Sequence, residues 1–77
     1  MCTLTLLEKA ANRLIILVRV RNISPDSRKY NTELSAMVNL LENMGFDVDF
    51  IWSDKYKDNK IVAITLQFDG VKVSRAA

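Results

Sequence analysis

The sequence predicts an α+β domain: a four-stranded antiparallel sheet that ends in a three-stranded meander, one main helix across one face, and a short N-terminal helix. Three observations carry this reading. Phe46, Val48, Phe50 and Trp52 alternate with Asp47, Asp49, Ile51 and Ser53, the period of a strand with one buried face. Val62, Ile64, Leu66 and Phe68 repeat the alternation, and Asp69-Gly70 then turns the chain into Val71, Lys72 and Val73. Asp-Gly suits a type I′ hairpin, whose central residues both need positive φ. Upstream, Tyr30, Leu34, Met37, Val38, Leu41 and Met44 recur every three or four residues, the stripe of an amphipathic helix.

At the N-terminus, residues 4–12 support two readings. Thr5-Leu6-Leu7-Glu8 has capping-box spacing, and Lys9, Ala10 and Ala11 favour helix, which makes a short helix the preferred reading. Thr3-Leu4-Thr5-Leu6 also alternates, as a strand would. Residues 14–21 read as a strand, because Ile15, Ile16, Val18 and Val20 are β-branched. A helix through this run would scatter Lys9, Asn12, Arg13, Arg19 and Arg21 around its circumference. The main helix starts at Ser24-Pro25-Asp26, with the serine as N-cap and the proline at N1; Asn31 or Thr32 is a later alternative. It ends at Met44, with Gly45 as C′ residue and Phe46 placed to pack back on Leu41 in a Schellman motif.

The remaining strands are predicted at 46–55, 60–68 and 71–74. A three-residue loop of Lys57, Asp58 and Asn59, with Asn59 in the left-handed region, pairs Tyr56 with Lys60. That register sets Trp52 opposite Ile64, Phe50 opposite Leu66 and Val48 opposite Phe68, with Trp52 mostly buried. Across the second turn, Phe68 meets Val71 and Leu66 meets Val73.

Seventy-seven residues form one small domain, 1–77, with room for a single core. No apolar run approaches the roughly 20 residues of a membrane-spanning helix, so no membrane partner is expected. Cys2 is the lone cysteine, which excludes an internal disulfide and fits a reducing compartment, the cytoplasm.

Catalytic chemistry has little to build on. There is no histidine, the usual general base and the commonest metal ligand. Cys2 lacks a histidine to activate it and reads as a small apolar residue near a terminus. Asp47 and Asp49 share a strand face at a spacing that suits a cation or an acid–base pair, but no third ligand is fixed, and solvated aspartates explain them. Gly45 and Gly70 serve a cap and a turn rather than a phosphate loop. Neither a cofactor nor an enzymatic reaction is expected.

Two surfaces remain. In the first, Arg19 and Arg21 share a face, followed by Arg28 and Lys29, while Lys55, Tyr56, Lys57 and Lys60 sit in a loop beside Trp52. This set could hold phosphate and stack a base, the footprint of a small RNA- or DNA-binding module. A net charge of +2 and the interleaved Asp54 and Asp58 weaken that reading. The second surface is the outward sheet face. There the predicted strands place Ile15, Leu17, Ile51, Ile61 and Ala63 together, rimmed by Arg19, Arg21, Asp47 and Asp49. An apolar centre with a charged rim is the composition of a protein contact, to a target or to a second copy. The preferred expectation is therefore a small protein-binding module acting through this face. Inhibitors, adaptors and regulators of this size include small phage-encoded proteins.

Overall fold

The computed structural model describes residues 3–54 and 59–77. Two helices come first, α1 (Thr3–Ile23) and α2 (Arg28–Asn43), followed by the strands β1 (Asp47–Trp52), β2 (Ile61–Phe68) and β3 (Val71–Ala76). The strands form an antiparallel meander in the order β1-β2-β3, and both helices cover the same face. The α+β class stands, but among the described residues the sheet has three strands.

The expected fourth strand, 14–21, is the C-terminal half of α1, which also absorbs the short helix expected at 4–12. Leu7, Ala10, Ala11, Leu14, Ile15, Val18 and Arg21 are its buried residues, a stripe at three- and four-residue spacing. Two features hid that stripe. Leu4, Ile16 and Ile23 are exposed apolar residues on its outer side, among Glu8, Lys9, Asn12, Arg13 and Arg19, so the boundary between its apolar and polar faces is blurred. Arg21 sits on the buried stripe itself, where a charge reads as a break in the pattern. β-Branched residues cost a helix only a few tenths of a kcal/mol each, and packing overrides so weak a bias.

The turn between the helices also differs from expectation. Ser27, not Ser24, is the N-cap of α2, and its hydroxyl accepts from Tyr30 N at 3.4 Å. Ser24 O instead accepts from Ser27 N, and the Asn31 amide donates to Pro25 O and Ser27 O, tying the turn to the helix it precedes. The far end follows the predicted Schellman motif. Gly45 has φ +98°, Gly45 N donates to Glu42 O, Phe46 N donates to Leu41 O, and Phe46 is buried.

In the sheet, Phe68 meets Val71 and Leu66 meets Val73, with Asp69 and Gly70 both at positive φ, as a type I′ turn requires. The β1–β2 register differs by two residues from that predicted: Val48 lies opposite Leu66, and Phe50 opposite Ile64. A two-residue slip conserves the faces, so Val48, Phe50, Ile64, Leu66, Phe68, Val71 and Val73 all point at the helices. Asn59 has the expected left-handed φ of +48°, while Lys55, Tyr56, Lys57 and Asp58 lie outside the described residues.

A β-bulge ends this regularity. Ile51 is opposite Ala63 but Trp52 is opposite Ile61, so Val62 is the extra residue. The bulge reverses the parity of β2. Ile61, expected on the outer face, turns into the core and is 1% exposed, whereas Val62, expected inside, is exposed. The Asn22 side chain holds the bulged end. Its amide donates to Ile61 O at 2.8 Å and its carbonyl accepts from Ile61 N at 3.0 Å, as a neighbouring strand residue would.

Candidate functional site

The structure separates the residues that the predicted strand had gathered. Ile15 is buried in the core, and Leu17 is partly buried against it. Arg19 is exposed on α1, where it donates to Ala76 O at 3.3 Å. Arg21 is buried and Ile61 belongs to the core. Asp47, Asp49, Ile51 and Ala63 alone stay together, on the sheet face turned away from the helices. Their rows across the sheet are Asp47–Gln67–Lys72, Asp49–Thr65–Ser74 and Ile51–Ala63–Ala76. This face is polar at the β1 edge and apolar only around half-exposed Ile51. Among the expected phosphate-binding residues, Arg28, Lys29 and Lys60 are exposed, and Lys55, Tyr56 and Lys57 lie outside the described residues.

A different site forms where the end of α1, the start of α2 and the bulged end of the hairpin meet. At its centre is Arg21, 4% exposed. The guanidinium donates from Nε to Asn31 Oδ1 at 3.0 Å, from Nη2 to Asn59 Oδ1 at 3.1 Å, and from Nη1 to Asn59 O. Desolvating a charge without partners is expensive, so these neutral acceptors are what make its burial tolerable. The same group lies 5.1 Å from the Trp52 ring centroid, a cation–π contact on an indole that also meets Phe50 edge-on at 6.4 Å.

Trp52 was expected to be mostly buried but is 49% exposed. It points to the helix-bearing side, yet beyond the bulge it is met by Arg21 rather than covered by a helix. Alongside it, a cavity of about 220 Å³ opens between α2 and β1. Leu34, Val38, Phe50, Trp52 and Ile61 supply its apolar wall, and Asn31, Ser35 and Asn39 add polar groups. The site thus holds an aromatic pair, an ordered cation and an open apolar hollow, all beside an edge strand.

The backbone of that edge is available too. Ser53 N donates to Lys60 O at 2.9 Å, so odd-numbered residues of this strand turn their backbone groups toward β2. Those of Val48 and Phe50 then face outward from the sheet. Sequence reasoning missed Arg21 as a structural centre, although its position three residues after Val18 continues the stripe of Leu7, Leu14 and Val18.

Among the described residues no group of three His, Cys, Asp or Glu side chains could hold a metal ion, and no helix is long and apolar enough to cross a membrane. No family model matches the chain, and neither a curated protein nor a solved structure matches it.

Proposed function

We propose that the chain is a small non-enzymatic protein-binding module, an inhibitor, adaptor or regulator working in the cytoplasm, whose contact surface is the β1 edge around Trp52. One observation carries this reading: a half-exposed tryptophan held in place by a buried arginine and a neighbouring phenylalanine. Ordering an indole in advance removes part of the entropy cost of binding, and tryptophan is enriched among the residues that dominate protein interfaces. Ile51 continues the apolar surface to the outer face, where Asp47 and Asp49 contribute charge that selects among partners. Compared with the sequence reading, the surface moves from the middle of the outer face to one edge of the sheet.

The nucleic-acid alternative loses a residue it needs. Arg21 spends its donors on Asn31 and Asn59, which leaves Arg19, Arg28, Lys29 and Lys60 as described candidates for phosphate. A photo-crosslinking amino acid placed at position 52, with a second variant carrying it at Gln67, separates the readings in the source cell. The expected result is protein adducts at position 52 that resist nuclease and are absent at position 67. Adducts that vanish with nuclease, or equal adducts at both positions, contradict it.

A further inference from the structure

We propose that an extended segment of the partner, alternating apolar and basic side chains, adds to β1 as a fourth strand of the sheet. This rests on the protein-binding reading above and specifies its mode and the chemistry of the partner.

The two layers of the domain differ in width. Strands lie about 4.8 Å apart, whereas packed helices lie about 8–10 Å apart, so two helices match the width of about four strands. Here there are three strands. α1 packs on β2 and β3, and α2 reaches β1, so α2 extends past the sheet edge and roofs the place of one further strand. The hollow beneath it, walled by Leu34, Val38, Phe50 and Trp52, accepts an apolar side chain from such a strand. Along the same edge, Val48 and Phe50 direct their N–H and C=O groups outward, the ladder that strand addition uses.

Charge identifies the occupant. On the outer face at this edge stand Asp47 and Asp49, both exposed, and the basic residue in their rows, Lys72, is two strands away. An added strand places alternate side chains against these aspartates, where opposite charges stabilise and like charges destabilise. A second copy of β1 would bring its own Asp47 and Asp49 beside them. A partner with basic residues at those positions satisfies both faces: apolar side chains toward α2, cations toward the aspartates.

The test uses a blocked Lys-Val-Lys-Val-Lys-Val peptide, its Glu-Val counterpart, and Lys-Val versions N-methylated at alternate residues in either parity. Trp52, the sole tryptophan, reports binding by fluorescence, and amide exchange followed by NMR locates it. The Lys-Val peptide should bind saturably and slow exchange at Val48 and Phe50. The Glu-Val peptide, and one of the two N-methylated versions, should bind roughly tenfold or more weakly. The double variant Asp47→Lys with Asp49→Lys should reverse the preference while keeping the circular dichroism of the parent.

Equal affinity for Lys-Val and Glu-Val peptides, undiminished binding of both N-methylated versions, or no binding of any peptide overturns the proposal. Slow exchange at Val48 and Phe50 in the free protein that disappears on dilution also overturns it, because a second copy then fills the edge. Failure of the peptides alongside continued protein crosslinking at position 52 removes strand addition alone. Loss of both removes the protein-binding reading as well.

Discussion

Under α1, Ile64, Leu66 and Val73 are 0%, 0% and 8% exposed, whereas at the other end of the same sheet Trp52 keeps 49% of its surface in solvent. Both regions have inward-facing apolar residues on paired strands, Trp52 just past the register shift, so inner–outer alternation alone does not account for the contrast. The helices do. α1 presents an almost continuous buried stripe from Leu7 to Val18 against β2 and β3, but α2 buries only Leu34 and Leu41 and meets the sheet at β1 alone. One end of the domain is closed by the chain itself. At the other end Arg21 and three asparagines stand where core residues would be expected, and they hold an aromatic pair open to solvent. Local stability should follow the same division, with the low end where binding is proposed.

The largest effect expected from this contrast separates two isoleucines that the sequence reading treated alike. Ile61→Asp places a carboxylate where the side chain is 1% exposed, at the inner wall of the hollow, and should cost more than about 4 kcal/mol, enough to unfold much of so small a domain. Ile51→Asp, on the open face, should stay within about 0.5 kcal/mol of the parent in urea unfolding. Equal tolerance of both would mean that the bulge at Val62 is absent in solution.

Arg21→Ala comes next. It leaves Asn31 Oδ1 and the Asn59 carbonyl without their donor and should cost about 2–3 kcal/mol by the same measurement. Arg21→Lys should recover little of it, because an ammonium cannot span both partners as the guanidinium fork does. Trp52→Ala should cost about 2 kcal/mol, from a cation–π contact and the buried half of an indole surface, less than truncation of a fully buried side chain. A Trp52→Ala cost as large as that of Leu66→Ala would place Trp52 in the closed region and remove the contrast. Gly45→Ala should cost about 1–2 kcal/mol, since its φ of +98° strains any L side chain and the new Cβ would lie 3.2 Å from the Phe68 ring.

What could be read from the chain in advance divides along local and distant causes. The Asp69-Gly70 turn and the cap at Gly45 were legible because a few neighbouring residues determine them, through positive φ and local hydrogen bonds. The bulge was not legible, because the group that holds Ile61 is Asn22, which lies 39 residues earlier in sequence. The β1–β2 register missed by two residues for a related reason: several loop lengths keep the same faces, and alternation alone cannot choose among them. The N-terminal strand failed because Arg21 interrupts an apolar stripe in sequence, while in space it completes the stripe through its partners.

The candidate site inherited these errors unevenly. Asp47, Asp49, Ile51 and Ala63 were placed together because β1 and its inner–outer alternation were read correctly. Ile15, Leu17, Arg19 and Arg21 were placed with them only through a strand that is a helix, and Ile61 only through an unbroken ladder. Trp52 drew attention as an aromatic among lysines, but its exposure depends on where α2 ends its coverage. No short segment encodes that.

The most direct test of the open edge is residue-by-residue amide exchange along β1 in the free protein. Asp49 and Ile51, bonded to β2, should exchange slowly, and Val48 and Phe50 should exchange much faster, with no change on dilution. Uniformly slow exchange at all four residues would mean that the edge is already paired, and that the contrast between the closed and open ends of the sheet is wrong.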